Sequence, residues 1–147
     1  MSLVAPQKVT LYQSGDLSQG ASFNNFLDAL DGSYCTYDGG DDPTQDGVYP
    51  DPAASGYGIY KGPENCGGFA ATKVISTSYG YNEADLTPFY ENRQCNEYLK
   101  LGLQGITFVY SSGDYGVAGN GGQCINSTGG YNDGNALWSF LLVQKLI

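Results

Sequence analysis

The chain has 147 residues, enough for about one domain, and its 15 acidic residues outweigh its 6 basic ones to give a formal net charge of -9. So few Lys and Arg side chains exclude the basic surface that nucleic acids and anionic membranes require. Histidine is absent, which excludes Ser-His-Asp triads, Cys-His dyads and His-based zinc sites and leaves acid–base chemistry to carboxylates, Lys or Tyr.

The first part of the sequence predicts a short strand followed by a helix. Residues 9–12 are β-prone, and Ser22 is a suitable N-cap for the helix. Asp28 and Asp31 are predicted to lie off the apolar face of this helix, which ends at Gly32. Four apolar residues share that face through their i, i+3, i+4 and i+7 spacing: Phe23, Phe26, Leu27 and Leu30.

The four cysteines are typical of a disulfide framework, for which three full pairings exist. Their wide spacing, without a C-x-x-C motif, argues against a metal or redox site. Residues 33–68 form a long irregular stretch rich in Gly, Pro, Asp and Tyr, and a loop of this length needs a cross-link. We therefore predict a Cys35–Cys66 disulfide worth roughly 3–4 kcal/mol, and no local partner is assigned to Cys95 or Cys124.

The central part of the sequence predicts a strand–helix–strand unit. Residues 74–77 are a predicted strand, and Thr87 and Pro88 begin a helix that continues to Gly102. Residues 106–110 are nearly all apolar, which is typical of a strand buried on both faces. Such units connect parallel strands by a right-handed crossover, so the predicted fold class is α/β.

Both predicted strands end in small polar residues next to glycine. Ser78-Tyr79-Gly80 follows the first strand, and Ser112-Gly113-Asp114 follows the second. Ligands of open parallel sheets bind outside the carboxyl ends of the strands, which makes these two segments a candidate binding crevice. From these residues alone, however, a plain turn is the favoured explanation of the Ser-Gly-Asp sequence.

Several segments taken together resemble the sedolisin family, the serine-carboxyl peptidases that include tripeptidyl peptidases and secreted fungal acid proteases. Their order and spacing match the central region of that family over roughly residues 3 to 125. The segments are 74–83 (VISTSYGYNE), 93–98 (RQCNEY), 100–103 (KLGL) and 110–117 (YSSGDYGV), with 9–12 (VTLY) and 23–28 (FNNFLD) upstream.

The resemblance implies a subtilisin-like parallel sheet with flanking helices and a catalytic serine that a Glu and an Asp assist. The family's further Asp, which stabilises the oxyanion from a Ser-Gly-Asp motif, maps onto Asp114. A protonated carboxyl can donate a hydrogen bond to developing negative charge at acidic pH. The substrate-binding residues that the resemblance implies are Ser78, Tyr79, Gly80, Glu83, Ser112 and Gly113. For Glu83 the alternative is a solvated acid just before a helix.

The resemblance also implies features that this sequence lacks. The family's Glu-x-x-x-Asp helix corresponds to a point upstream of Met1, and its Gly-Thr-Ser nucleophile and its calcium site correspond to points beyond residue 147. We therefore expect a domain truncated at both ends, with no cofactor in this chain. Residues 1–134 are assigned to a partial peptidase domain, and residues 135–147 to a tail from a frameshift or intron read-through. An ordinary terminal helix is the alternative for that tail.

The expected function is that of a fragment of a serine-type acid peptidase, a tripeptidyl-peptidase or an endopeptidase, acting on a peptide or protein substrate. We expect no nucleic acid, no membrane and no defined oligomer as partners. The parent protein is expected to be secreted, although residues 1–6 contain no signal peptide. The alternatives are a catalytically inactive peptide-binding remnant and a secreted carbohydrate-binding module with tyrosines as stacking surfaces.

Overall fold

The computed structural model describes residues 3–18, 22–35, 49–80, 86–116, 118, 122–125 and 131–132. The chain divides into two compact units, Met1–Thr72 and Lys73–Ile147. The described elements are α1 (Phe23–Leu30) in the first unit, and β1 (Val74–Thr77), α2 (Pro88–Leu103), β2 (Thr107–Tyr110), β3 (Cys124–Ile125) and β4 (Tyr131–Asn132) in the second. Neither α1 nor α2 combines the length and the apolar character that a bilayer span requires.

Helix α1 begins where the sequence predicts, because Ser22 and Asn25 cap it reciprocally. The Asn24 N–H donates to Ser22 Oγ at 3.2 Å, and the Ser22 N–H donates to Asn25 Oδ1 at 3.1 Å. This capping box satisfies two of the N–H groups that a helix leaves without intrahelical partners. The helix ends at Leu30, slightly before the predicted end at Gly32.

Asp28, which was predicted to lie off the apolar face of α1, is nevertheless buried. Asp28 and Asn24 are each 1% exposed, as buried as the predicted core residue Leu27. The side chain of Tyr34 is also fully buried, and its hydroxyl donates to Asn24 Oδ1. The chain that follows α1 therefore folds back over the polar positions of the helix, which the apolar periodicity alone does not reveal.

The predicted Cys35–Cys66 disulfide is confirmed, with its Cα atoms 5.5 Å apart. Beside it the Gly67 N–H donates to the Asp28 carbonyl at 2.7 Å, so the backbone of this loop lies directly against α1. Gly67 has a φ of +65°, and a Cβ added there would come within 2.6 Å of the Gly32 nitrogen. Glycine is therefore required at position 67, where the two chain segments meet.

Residues 9–12 do not form the predicted strand. A single side chain fixes this segment instead: the Tyr12 hydroxyl donates to the Ala70 carbonyl at 3.0 Å and accepts from the Thr72 N–H at 3.2 Å. The Tyr12 ring also packs edge-on against Phe26, with the ring centroids 6.0 Å apart. A β-prone sequence becomes a strand only where a partner strand is available, so the propensity was not sufficient.

In the second unit, β1 and β2 pair in parallel, as the strand–helix–strand pattern predicts. Their register runs from Val74 opposite Thr107 to Thr77 opposite Tyr110. The chain passes from one strand to the other through α2, which makes this part of the protein an α/β unit.

Helix α2 begins at Pro88 with Thr87 as its N-cap, as predicted, and the Tyr90 N–H donates to Thr87 Oγ1 at 3.3 Å. Glu97 on the buried side of the helix forms an ion pair with Lys100, with 3.7 Å between Oε2 and Nζ. The residues buried on this helix share one face: Tyr90, Gln94, Glu97, Tyr98 and Leu101. Two of the five, Gln94 and Glu97, are polar or charged, so the buried face of this helix is not a continuous apolar stripe.

The prediction that residues 106–110 form a strand buried on both faces is wrong in the described part of the chain. Exposure alternates along β2, where Val109 is 49% exposed while the rings of Phe108 and Tyr110 pack against Tyr98 of α2. Val74 of β1 is likewise exposed, whereas its neighbour Ile75 is buried. The crossover helix covers one face of the two strands and leaves the other open.

Strands β3 and β4 pair antiparallel, with Cys124 opposite Asn132, and were not predicted. Two residues are too few to give a readable alternation in the sequence. Cys95 and Cys124 are free cysteines. The predicted tail, residues 135–147, lies outside the described residues, so the assignment of residues 1–134 and 135–147 stays a prediction.

Removal of the disulfide should destabilise the first unit. We expect Cys35→Ser to lower its free energy of unfolding by roughly 3–4 kcal/mol, since the closed loop restricts the unfolded chain. Hydrogen exchange of the α1 amides in the unmodified protein and in the variant measures this difference. Cys95→Ser, which removes a free thiol, is the control and should leave α1 unchanged. A loss below about 1 kcal/mol would contradict the prediction.

Candidate functional site

The two segments predicted to form a crevice leave the same edge of the parallel pair. Thr77 and Tyr110 are opposite each other as the last residues of β1 and β2. The Ser111 N–H then donates to the Thr77 carbonyl at 3.0 Å, which extends the ladder one residue beyond β2. Residues 78–80 and 112–114 therefore follow neighbouring carboxyl ends, the place where parallel sheets bind ligands.

Most of the predicted site residues in these segments are open to solvent. Ser112, Gly113 and Asp114 are exposed, and so is Tyr79, while Gly80 is half-buried. Ser78 is also exposed. Gly113 has a φ of +78°, a conformation that glycine adopts without the steric penalty of a side chain. The structure thus brings five of the predicted substrate-binding residues and Asp114 to one edge, and their roles stay predictions. Glu83 lies outside the described residues.

A group of side chains joined by hydrogen bonds and ring contacts lies near the same ends of β1 and β2, and we call it the strand-end cluster: Thr77, Tyr98, Phe108 and Tyr110. The Tyr110 hydroxyl donates to the Tyr98 hydroxyl at 2.6 Å. The Thr77 side chain also forms a hydrogen bond with Tyr110. The Tyr98 ring packs edge-on against Tyr110 and Phe108, with centroids 5.8 and 5.0 Å away. The cluster joins both strands to α2.

Sequence reasoning missed this cluster. Tyr98 and Tyr110 both lie in segments that carry the family resemblance, yet their pattern indicates only core aromatics. Hydrogen bonding between them depends on how α2 packs on the sheet, and spacing along the chain does not encode that.

Burial raises the pKa of Tyr110 to about 12, and its hydrogen bonds with Tyr98 and Thr77 offset part of this increase. Removing a phenol from water disfavours its charged form, which is why burial dominates. Tyr110 is therefore a neutral hydroxyl in acidic and neutral solution.

A second polar group in the first unit centres on Asp16. Its carboxylate accepts from the Ser18 N–H at 2.7 Å and from the Tyr60 N–H at 2.9 Å. The Tyr49 ring stacks on Tyr60 at 6.1 Å, and burial followed by the nearby Asp16 charge raises the pKa of Tyr49. These contacts fix an irregular loop, because the carboxylate satisfies backbone donors that no secondary structure satisfies.

The described residues contain one group of three potential metal-ligating side chains: Cys35, Glu64 and Cys66, whose donor atoms lie within 4.8 Å of one another. The two sulfurs are joined in the disulfide and are not the thiolates that zinc binds. Calcium requires six to eight oxygen ligands. This group, which offers a carboxylate from Glu64 alone, therefore does not fit calcium.

Comparison with known proteins gave matches among curated sequences. The chain is 49% identical over 140 residues to aorsin of Aspergillus oryzae, which covers 90% of this chain and 21% of aorsin. It is 46% identical over 129 residues to tripeptidyl-peptidase SED1 of Arthroderma otae, with 86% of this chain and 19% of the relative covered. It is 43% identical over 138 residues to tripeptidyl-peptidase sed1 of Aspergillus fumigatus, with 86% and 20% covered.

The chain thus spans about a fifth of the length of these relatives. No family model and no solved structure matches it.

The raised pKa of Tyr110 predicts how stability changes in alkali. Since the folded pKa of about 12 lies above the ordinary value of 10.0, the stabilisation from neutral Tyr110 is complete below pH 10. It is lost as the pH rises through about 12. Urea unfolding at several pH values measures the effect. Tyr110→Phe, which has no ionisable hydroxyl, should lose less stability over this range. Parallel curves for the two proteins would contradict the prediction.

Proposed function

Because the chain is homologous over most of its length to fungal peptidases of the sedolisin family, we propose that it forms the central segment of a serine-type peptidase. The homology confirms the resemblance that the sequence motifs indicate. The observation that carries the proposal is the shared edge of β1 and β2, from which residues 78–80 and 112–114 both emerge.

The proposed fold of the whole domain is a subtilisin-like parallel sheet with flanking helices. The parallel pair β1–β2 and its crossover helix α2 support this, since they are the repeating unit of such a sheet. The open face of the pair, which includes Val74 and Val109, is consistent with a sheet that packs helices on both sides.

Asp114 is proposed to stabilise the oxyanion of the tetrahedral intermediate. In this role a protonated carboxyl donates a hydrogen bond to the oxygen on which negative charge develops. Its exposure leaves the carboxyl accessible to a substrate. Ser112 and Gly113 beside it are small and permit the close approach of a peptide backbone.

Residues 78–80 are proposed to bind the substrate backbone. An extended peptide can pair with exposed N–H and C=O groups as an additional strand, which gives affinity without requiring particular side chains. Glu83 is proposed to line the same cleft. Peptides or proteins are therefore the proposed substrates.

The nucleophile and its Glu–Asp pair are proposed to come from other parts of a longer protein, because no Gly-Thr-Ser sequence occurs among these 147 residues. The role proposed for this segment uses backbone groups and one carboxyl, so it requires no cofactor here. The Cys35–Cys66 disulfide supports the proposal that the protein is secreted, since such bonds persist in oxidising compartments. Action at acidic pH is proposed because a carboxyl group donates a hydrogen bond only in its protonated form.

The 147-residue chain alone should have no peptidase activity. Without a nucleophile no acyl-enzyme forms, and an oxyanion donor by itself supplies only weak catalysis. The test is incubation of the purified chain with a fluorogenic peptide near pH 4, with aorsin as the positive control. Turnover that an acyl-enzyme inhibitor abolishes would contradict the prediction.

Asp114 should stabilise mainly the transition state of the reaction and contribute little to substrate binding. In aorsin carrying this chain in place of its aligned segment, we expect Asp114→Ala to lower kcat by on the order of 10²–10³ with little change in KM. Asp114→Asn, which retains a hydrogen-bond donor, should lose less. Glu64→Gln, at an exposed carboxylate of the first unit, is the control. An Asp114→Ala variant with undiminished kcat would overturn the assignment.

A further inference from the structure

The strand-end cluster connects the two segments to which the proposed function assigns substrate contacts. Tyr110 is the last residue of β2 and lies four positions before Asp114. Thr77 is the last residue of β1 and directly precedes Ser78. Hydrogen bonds link the Tyr110 hydroxyl both to Thr77 and to Tyr98 of α2. One hydroxyl group on β2 therefore contacts side chains on both other elements, β1 and α2.

We propose that Tyr98 and Tyr110 are positioning residues, which hold the carboxyl ends of β1 and β2 so that Asp114 and the backbone of residues 78–80 keep a fixed separation. This inference rests on the proposed function, and neither tyrosine contacts the substrate in it. It identifies what sets the geometry between the oxyanion donor and the bound peptide backbone.

The backbone at the carboxyl ends of β1 and β2 depends on side-chain contacts to keep its position. The Ser111 N–H donates to the Thr77 carbonyl at 3.0 Å, and this bond lies just beyond the last paired residues of the strands. Short strands open most readily at their ends, where fewest interactions hold them. A misplacement of about 1 Å between reacting groups can reduce a rate by about 10²-fold. The strand-end cluster lies at the end of β1 and β2, where separation of the two strands would displace both residues 78–80 and residues 112–114.

The chemistry of the cluster suits an acidic medium. Two neutral hydroxyls bond to each other without any carboxylate, so protonation of acidic groups leaves the bond intact. The pKa of Tyr110, about 12, keeps this hydroxyl neutral across the range in which carboxyl groups titrate. An ion pair in the same place would lose its attraction in acid.

Simple packing of aromatic rings is the alternative explanation of the cluster. Tyr→Phe substitutions separate the two, because phenylalanine keeps the ring contacts and removes the hydroxyl. Under the packing explanation the Phe variants behave as the unmodified protein does. Under the positioning explanation they lose the bond between α2 and the strand end.

The test uses aorsin with its aligned segment replaced by this chain. We expect Tyr110→Phe and Tyr98→Phe each to lower kcat roughly tenfold, with KM within about twofold. The double variant should be no slower than Tyr110→Phe, which by itself removes the hydrogen bonds to both Tyr98 and Thr77. Thr77→Ser should retain activity, and Thr77→Val should reduce it. Tyr60→Phe, which removes a hydroxyl that donates to the Pro63 carbonyl in the first unit, should have no effect.

The outcomes separate this inference from the proposed function. If Asp114→Ala lowers kcat and Tyr110→Phe does not, the positioning role is overturned and the proposed function stands. If Asp114→Ala has no effect, the proposed function fails, whatever the tyrosine variants do. A second measurement uses the 147-residue chain itself: hydrogen exchange of the Ser111 amide should be roughly tenfold faster in Tyr110→Phe than in Tyr60→Phe. Equal exchange rates would also overturn the positioning role.

Discussion

The parallel register of β1 and β2 is the constraint on which the candidate site depends. Thr77 lies opposite Tyr110, so the residues after both strands emerge side by side at one edge. Antiparallel pairing would have put them at opposite edges. The 16 residues of α2 make the parallel arrangement possible, because a helix of this length spans about 24 Å and carries the chain back to the start of the next strand. The crossover also supplies Tyr98, which bonds to the end of β2.

Local signals in the sequence predicted most of this unit. Thr87 and Pro88 define a helix start through capping and backbone geometry alone, and a β-branched run such as residues 74–77 needs only a neighbour to become a strand. The shared edge followed from these elements and the rule for parallel crossovers. What the sequence did not predict depends on contacts between elements. The hydroxyl contact of Tyr98 and Tyr110 and the burial of Asp28 both arise from packing against distant residues.

The first unit is held together differently. Its one described helix is short, and Leu11 and Leu17 are 86% and 80% exposed, so apolar burial there is limited. A disulfide, a hydroxyl that bridges Ala70 and Thr72, and a carboxylate that accepts from loop N–H groups act in place of a larger core. Polar contacts of this kind cannot be predicted from the spacing of apolar residues in the sequence. The strand prediction for residues 9–12 failed for this reason, because a polar side-chain contact and not strand pairing fixes that segment.

The contacts that bracket Cys35 and Cys66 have a consequence for sequence variation. The disulfide and the Gly67–Asp28 hydrogen bond hold both ends of the intervening segment against α1, independently of what lies between them. The entropic cost of closing a loop rises only with the logarithm of its length, by about 0.6 kcal/mol for each doubling. Insertions between the two cysteines are therefore cheap for the folded unit. Evolution can lengthen or diversify this segment, and a protein engineer can graft a foreign peptide there, while Gly32 and Gly67 stay fixed by the closeness of their backbones.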